Sequence, residues 1–263
     1  MDLLQHKIAV LERAGIPIAK DANILDFGCG TGATVVGAVR KGFINCRGFD
    51  IRDYLSDVAR SDIALFSFND FAALPYADNT FDLVVSDQVF EHVQDQWKAF
   101  SEIFRVLKPG AHAVHVIPAR YQIIEPHIYV PFGGLIGAYW YYKFWAVLGI
   151  RCESQRGSTS DQVAENNTAT FVTNLRYIGN SNYKALWRKI GYTFYFAELE
   201  YMSTSEKPKT RKLGKLARMC PPVLWAIRTL WARVVIMSKP TSYQTIPNWP
   251  PTPHAFVQPT GGH

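Results

Sequence analysis

The sequence predicts an α/β fold in which a doubly wound, mostly parallel sheet carries helices on both faces. Short apolar runs recur through the first 117 residues, and most are separated by segments with helical spacing of apolar residues. A cluster of glycines closes the first run, as expected where a buried strand meets a helix through a tight turn. At 263 residues, the chain is long enough for one such domain with a large core.

The predicted elements follow one another in a regular order. Apolar runs predict strands over residues 23–27, 44–50, 63–68, 81–86 and 111–117. Helices are predicted over residues 31–41, 94–107 and 183–190, and Pro109-Gly110 is expected to end the second of them. Residues 192–202 and 233–237 predict two closing strands, which a basic helical stretch broken at Pro221-Pro222 separates. The last strands are therefore expected to lie at one side of the sheet.

Two regions depart from this alternation. Residues 121–150 are rich in aromatic side chains and residues 151–170 in polar ones, so we expect an inserted cap over 119–182. The polar part is predicted to be a mobile lid or a surface loop. Residues 1–240 then form one domain, and the proline-rich residues 241–263 are predicted to be extended or disordered.

Composition restricts the classes of partner. The formal net charge of +6 permits an acidic partner, but the basic residues concentrate only between Lys207 and Arg218, where a solvated helix face is the simpler interpretation. Weak peripheral membrane contact is kept as an alternative. Four cysteines without a CxxC pair favour a reducing, cytoplasmic location. The sequence shows no secretory signal, and its most apolar stretch is a poor membrane span.

The first strand leads into a glycine-rich loop that is suited to a nucleotide-like ligand. In Asp26-Phe27-Gly28-Cys29-Gly30-Thr31-Gly32, glycines allow a ligand to approach backbone N–H groups at the positive end of a helix. The third glycine comes one residue earlier than in the GxGxxG pattern of dinucleotide-binding proteins. Asp50 ends the second strand, where a carboxylate can accept hydrogen bonds from both hydroxyls of a ribose.

Four segments resemble, in order, motifs of the class I S-adenosylmethionine-dependent methyltransferases, in particular the type 11-like group. They are residues 24–32, 69–84, 86–93 and 102–110. This resemblance implies a Rossmann-like sheet of seven strands, the last of them antiparallel, and S-adenosylmethionine as cofactor. It also implies methyl transfer as the activity.

The resemblance also implies roles for individual residues. Gly28, Gly30 and Gly32, with Cys29 between them, would line the methionine end of the cofactor. Asp26 would lie near its amino group and Asp50 would hold the ribose. For the adenine, Asp70 would bind the exocyclic amine, and Ile51 and Phe71 would lie on either side of the ring. Ser86, near the end of the fourth strand, is counted with the cofactor residues. A packing role in the core is an equal alternative for Phe71.

Candidate catalytic residues follow the fourth strand or begin the cap. The hypothesis is that His127, assisted by Glu125, deprotonates or orients an acceptor hydroxyl. His92 is a further candidate, although a role at a helix start is favoured for it. No metal is expected, because His112 and His115 lie on opposite faces of a strand and no spacing typical of metal ligands occurs elsewhere.

The acceptor is predicted only by class. Methyltransferases that modify nucleobase amines often carry an Asn/Asp-Pro-Pro-aromatic turn where this chain has residues 86–89, so nucleic acid is disfavoured. The aromatic region favours O-methylation of a small molecule, a glycan or a lipid-linked acceptor, although it is also suited to a buried cap. Two alternatives from other classes are a nicotinamide-dependent oxidoreductase and a catalytically silent module that binds the cofactor.

Overall fold

The computed structural model describes residues 2–173 and 175–241. These residues form a seven-stranded sheet in the order β3-β2-β1-β4-β5-β7-β6, with β1 to β5 parallel and β7 antiparallel to both of its neighbours. The strands are β1 (Ile24–Phe27), β2 (Cys46–Asp50), β3 (Phe66–Phe68), β4 (Phe81–Asp87), β5 (Leu107–Pro118), β6 (Thr193–Phe196) and β7 (Ala232–Ser238). The predicted fold class is confirmed. The disorder predicted for the tail falls on residues that lie, from residue 242 onward, outside the described part of the chain.

Helices cover both faces of the sheet. They are α1 (Leu3–Arg13), α2 (Ala33–Arg40), α3 (Asp57–Arg60), α4 (Gln96–Val106), α5 (Tyr139–Val147), α6 (Ser160–Thr173), α7 (Asn180–Ile190), α8 (Glu198–Thr204), α9 (Pro208–Met219) and α10 (Pro221–Leu230). One apolar core includes buried residues of α1 and α2, and the other includes residues of α4 and α7. Because both faces are covered, most residues of the central strands β1 and β4 are apolar and buried, as the sequence indicated.

The boundary between α4 and β5 differs from the prediction. The helix ends at Val106 and β5 begins directly at Leu107, so Pro109 and Gly110 lie inside a 12-residue strand instead of ending a helix. Gly110 has a φ of +82°, and the register with β4 shifts between Phe81 and Leu83. A local irregularity of the strand therefore accommodates a pair of residues that normally ends an element.

The cap is more helical than predicted. The polar stretch 151–170 was expected to be a lid or a surface loop, but α6 occupies most of it. Val163 and Ala164 are fully buried, and Ala164 belongs to a small core with Tyr142 of α5. A pair of small apolar residues in an otherwise polar sequence is enough to pack one helix on another.

The predicted strand over residues 192–202 is also partly wrong. β6 covers only Thr193–Phe196, and after Ala197 the chain turns into α8. Helical spacing places Leu199 and Met202 on one side of α8, where they pack in a core with α9 and α10. In residues 192–202, the alternation of aromatic and other apolar residues is compatible with one continuous strand and also with a strand followed by a helix.

A buried arginine joins the two ends of the cap. Arg233 of β7 is 1% exposed, and it donates one hydrogen bond to the carbonyl of Pro118 (2.5 Å) and another to that of Ile178 (2.8 Å). Pro118 ends β5, and Ile178 lies two residues before the start of α7. One guanidinium group therefore holds the chain where it leaves the sheet and where it returns.

Among the described residues, no helix has the length and hydrophobicity needed to cross a membrane. The cytoplasmic location stays a prediction.

Candidate active site

The loop after β1 is fixed by backbone hydrogen bonds to β2. The N–H groups of Gly28 and Cys29 both donate to the carbonyl of Phe49, at 2.8 and 3.0 Å. Gly28, Gly30 and Gly32 all have positive φ values, between +49° and +78°. Residues other than glycine rarely adopt this conformation. The spacing of the glycines in the sequence therefore reflects the path of the backbone.

The three glycines serve two different purposes. A Cβ atom on Gly28 would lie 2.4 Å from the side chain of Val89, and one on Gly32 would lie 2.9 Å from that of Leu55. These two positions are closed by packing. A Cβ on Gly30 would meet no atom within 4 Å, so this part of the loop borders open space that a ligand can occupy. The loop thus fits a cofactor that lies against its backbone.

Asp50 lies at the end of β2 and faces this loop. Its Oδ2 accepts a hydrogen bond from the N–H of Gly30 (2.9 Å), and its Oδ1 accepts one from the N–H of Ile51 (2.7 Å). The carboxylate is partly exposed. Its second lone pairs therefore remain available to ligand hydroxyls at the edge of the sheet.

Asp26 is buried beneath the same loop and is 7% exposed. Burial raises the pKa of Asp26 to about 6, and the negative charges of Asp87 and Asp50 act in the same direction, whereas Lys7 opposes them. A buried carboxylate at this position has few compensating partners. A cationic ligand group beside it would stabilise its charged form.

The residues expected around adenine lie together at the surface beside the loop. Ile51 is 54% exposed, and Asp70 is exposed and accepts a hydrogen bond from the N–H of Ala72. Phe71 is half-buried and packs against Phe27 and Phe49, with ring centroids 5.6 and 5.8 Å apart. The ring of Phe71 therefore belongs to the edge of the core, and its contact with adenine stays a prediction.

Ser86 is placed differently from the other candidates. Its side chain is fully buried, and its hydroxyl lies 2.8 Å from Nδ1 of His115 on β5. Burial lowers the pKa of His115 to about 3, so the imidazole is neutral at physiological pH. The hydroxyl thus satisfies a neutral histidine inside the protein, and the geometry gives no support to a cofactor contact through this side chain.

An ion pair that the sequence did not reveal lies at the end of β4. Lys7 of α1 contacts Asp87 at 2.9 Å, and the lysine side chain is only 3% exposed. The charges of both residues act on Asp26. No pattern near Lys7 could have indicated this role, because the helix that carries it begins the chain and contacts β4 only in the folded protein.

Beside this ion pair lies a cavity of about 290 Å³, which we call the edge cavity. It is bounded by the carboxyl ends of β4 and β5, the start of β7, and helices α8 and α10. Its wall includes Asp87, Gln88, Ile124, Tyr201, Met202 and Trp231. Since ligands of open α/β folds bind outside the carboxyl ends of the strands, this is the expected side for a second substrate.

The three predicted catalytic residues come together on the cap side of the edge. Oε1 of Glu125 lies 2.7 Å from Nδ1 of His127 and also accepts a hydrogen bond from the hydroxyl of Tyr177 (2.8 Å). The ring of His92 lies 5.1 Å from that of His127. Glu91, which the sequence places beside His92 after β4 as a further candidate base, completes this group. However, Pro126 contributes to the wall of the edge cavity, whereas His127 does not.

Opposing effects set the pKa values of this pair. The hydrogen bond to Glu125 raises the pKa of His127 above its ordinary value. Burial by itself would raise the pKa of Glu125, but hydrogen bonds from His127 and Tyr177 outweigh it and lower the pKa. Glu125 and His127 thus form a hydrogen-bonded pair, and Nε2 of His127 lies outside the bond between them.

Comparison with known proteins supports the resemblance to methyltransferases. Residues 25–115 match the family described as "Methyltransferase domain". Norajmaline N-methyltransferase of Rauvolfia serpentina is 37% identical over 106 residues, which cover 37% of this chain and 36% of that enzyme. The 27-O-demethylrifamycin SV methyltransferase of Amycolatopsis mediterranei is 30% identical over 105 residues, covering 36% and 38%. The chain thus spans little more than a third of the length of the curated relatives it matches.

Among solved structures, phosphoethanolamine N-methyltransferase 2 of Haemonchus contortus shares the fold. Its TM-score is 0.51 at 17% identity, over 90% of this chain and 53% of that one. The segment that matches the methyltransferase domain family, residues 25–115, includes nearly all of β1, all of β2 to β4 and most of β5. It also includes the glycine loop and Asp50. The family match replaces the oxidoreductase alternative. Residues 25–115 therefore match a methyltransferase domain, and the described part of the chain has the fold of a methyltransferase.

Proposed function

We propose that the protein transfers the methyl group of S-adenosylmethionine to a hydroxyl group of a small-molecule acceptor in the edge cavity. The observation that carries this proposal is the position of Asp87. It forms part of the cavity wall, and its charge also acts on Asp26 beneath the cofactor loop. Asp87 thus relates the cavity to the carboxylate beneath the cofactor loop, and two sites on one sheet edge are suited to aligning two reactants.

The charges of the cavity wall favour a hydroxyl acceptor over a cationic amine. The two carboxylates in the wall are Asp87, paired with Lys7, and Glu198, which Arg228 holds through two hydrogen bonds of 2.8 and 2.9 Å. Both negative charges are therefore compensated within the protein. A protonated amine would find little net attraction there, whereas a neutral hydroxyl on an apolar molecule fits the apolar part of the wall.

The wall also suggests how the acceptor is oriented. The cofactor supplies an electrophilic methyl group when it is bound. Asp87 is placed to accept a hydrogen bond from the acceptor hydroxyl and to draw its proton away as the oxygen forms its new bond to carbon. The 2.9 Å contact with Lys7 orients this carboxylate. Sequence reasoning placed residues 86–93 at this edge but did not single out Asp87.

The predicted set His127, Glu125 and His92 stays an alternative source of the base. Its support is the 2.7 Å contact that orients His127. Its weakness is that Pro126 separates His127 from the edge cavity. The rate of methyl transfer by His127→Ala tests whether His127 is the base. An unchanged rate at saturating acceptor would exclude it.

A methyl-transfer assay tests the proposal. The full chain would be incubated with cofactor carrying a labelled methyl group and with a panel of apolar alcohols, phenols and glycosides, alongside matched amines. We expect label in hydroxyl-bearing acceptors and a loss of transfer in Asp87→Asn. Asp53→Asn is the matched control, because Asp53 forms an exposed ion pair with Arg60 away from the cavity. Tight cofactor binding without transfer to any acceptor would indicate the silent module instead.

A second proposal concerns a lipid-linked acceptor and weak contact with anionic membranes. From α9 to the end of α10 the chain carries no acidic residue, and its basic residues are Lys209, Arg211, Lys212, Lys215, Arg218 and Arg228. Exposed apolar side chains lie in the same segment, among them Met219 (84%) and Trp225 (66%). Trp231, which directly follows α10, lies in the wall of the edge cavity. A membrane on this face would bring lipid-linked molecules to the cavity.

Sedimentation with vesicles tests the membrane contact. We expect binding to vesicles that contain phosphatidylserine at low salt and loss of binding in a Lys212→Glu, Lys215→Glu variant. The matched control is Lys20→Glu, Arg40→Glu, which makes the same change in charge on α2 and the loop before β1. Equal loss in both variants, or no binding by the unmodified protein, would exclude a specific membrane face.

A further inference from the structure

Three side chains from two distant segments place metal-binding atoms close together. Glu91 and His92 belong to the single turn that follows β4, and His127 belongs to the turn that begins the cap. One ligand atom from each lies within 4.8 Å of the others. The sequence predicted no metal, because these residues are 35 positions apart and show no spacing typical of metal ligands.

Glu91 supplies an independent indication. Its side chain is 1% exposed, and neither carboxylate oxygen has a hydrogen-bond partner among the described residues. Nε2 of His92 lies 3.9 Å from Oε1 of Glu91. A buried carboxylate without partners is rare, since desolvation of its charge is costly unless a cation compensates it.

His127 is already oriented as metal-binding histidines are. Its Nδ1 lies against Glu125, which leaves Nε2 outside that hydrogen bond. Metal-bound histidines usually donate their other ring N–H to a carboxylate or carbonyl in this way. Glu125 is itself 1% exposed and is fixed by Tyr177 and by the N–H groups of His127 and Ile128. The orienting shell is thus complete without the metal.

We propose that Glu91, His92 and His127 bind a zinc ion, with Glu125 holding His127 in place. Two imidazole nitrogens and one carboxylate oxygen form a ligand set that suits Zn²⁺, and three protein ligands leave one tetrahedral position open. His127 also lines a polar cavity of about 390 Å³ beside α6, so a water or a ligand oxygen can reach the open position.

The ion would have a structural consequence. It would join the turn after β4 to the start of the cap and compensate the buried charge of Glu91. In this role Nε2 of His127 carries the metal instead of a proton. The inference does not depend on the methyl acceptor or on methyl transfer itself.

Zinc binding by the full chain tests this inference. The protein would be stripped with a chelator and titrated with Zn²⁺ in competition with a chromophoric chelator, in a Cys152→Ser, Cys220→Ser background that removes the partly exposed thiols. We expect one ion per chain and an affinity at least 100-fold lower in His92→Asn and in His127→Ala. Glu125→Gln should weaken binding by about 10- to 100-fold, as is typical of residues that orient a ligand.

His112→Asn is the matched control, because His112 is half-buried on β5 and contacts Ser238 away from the cluster. The side chain of His92 is 46% exposed, so its replacement should preserve folding, which circular dichroism would verify. Cobalt substitution provides a second readout: visible absorption of a tetrahedral Co²⁺ site is expected and should disappear in His92→Asn.

Absence of stoichiometric binding, or equal loss in the His112 control, would overturn the zinc site. Calorimetric titration with S-adenosylmethionine in the presence of chelator separates the two proposals, since cofactor binding should persist there whatever the outcome for zinc.

Discussion

The two halves of the sheet edge are built in different ways. The predicted cofactor half consists of the loop after β1, Asp50 at the end of β2, and Asp70 and Phe71 after β3, all within one continuous stretch of fewer than fifty residues. The edge cavity combines the ends of β4 and β5, the start of the cap, α8, α10 and the start of β7, which are spread over about 150 residues. The comparison teaches that a ligand bound by consecutive strand ends can be recognised from local sequence, whereas a pocket assembled by long-range packing cannot.

The largest effect is expected where the two halves meet. In Asp87→Asn, Lys7 would remain buried without its partner, and the free energy of unfolding should fall by about 3–5 kcal/mol. Urea denaturation measures this loss. Adding Lys7→Met should restore part of it, because the uncompensated charge is then removed.

The exposed pair of Asp53 and Arg60 serves as the control, and Asp53→Asn should change stability little. If Asp87→Asn were no more harmful than Asp53→Asn, the two halves would not be joined by this ion pair.

A slightly smaller effect is expected in the cofactor half. Asp50→Ala removes the carboxylate that holds Gly30 and Ile51, and with it the proposed hydrogen bonds to the ribose. Cofactor affinity, measured by calorimetry, should fall by about 100-fold, which corresponds to roughly two charge-assisted hydrogen bonds. Asp53→Ala, three residues along the chain, should bind normally. Similar affinities in both variants would argue against Asp50 as the ribose ligand.

Cofactor affinity should also depend on pH through Asp26. Because the pKa of Asp26 is about 6, it is mostly protonated at pH 5 and mostly charged at pH 7. If its carboxylate holds the amino group of the cofactor, affinity should be about tenfold weaker at pH 5 than at pH 7. Asp50 and Asp87 oppose its ionisation and Lys7 favours it. A variant Asp26→Asn should bind weakly at both pH values, and persistence of the full pH dependence in that variant would assign it to another group.

The stability of the folded protein should change with pH in the opposite direction to the cofactor affinity. Without cofactor, the raised pKa of Asp26 means that burial of its charge destabilises the folded state as pH rises from about 4 to about 6, and that this penalty is absent below pH 4. Denaturation curves at these pH values, with and without cofactor, would separate the two effects.

The smallest effect is expected for Phe71. Since its ring packs edge-on against Phe27 and tilted against Phe49, Phe71→Leu should reduce stability by about 1 kcal/mol and change cofactor affinity little. Urea denaturation and calorimetry measure the two quantities. A large loss of affinity at unchanged stability would instead identify Phe71 as one side of an adenine sandwich.

The success of sequence reasoning follows the same division. Gly30 and Asp50 could be proposed as cofactor residues because a strand, a turn and a helix impose local requirements on residue type, and their contact with the cofactor stays a prediction. The sequence correctly places Ser86 near the end of β4. The direction of its side chain depends on a contact with His115, which lies 29 residues away on β5. The pairing of Lys7 with Asp87 spans 80 residues, and no local pattern predicts it.

The prediction of secondary structure was wrong where the periodicity of apolar residues was ambiguous. Residues 192–202 alternate like a strand, yet Leu199 and Met202 also have helical spacing, and packing against α9 and α10 favours the helix. In residues 160–170, Val163 and Ala164 were too few to show a period, although burial against α5 orders the segment as α6. Tertiary contacts determined both outcomes.

Arg233 has a consequence for how such an enzyme can diversify. Because its guanidinium group binds the carbonyls of both Pro118 and Ile178, the intervening cap leaves and rejoins the sheet at one anchored point. The entropy of closing such an excursion grows only slowly with its length. The cap can therefore be lengthened, shortened or exchanged as a cassette over evolutionary time, while the glycine loop and Asp50 keep their positions.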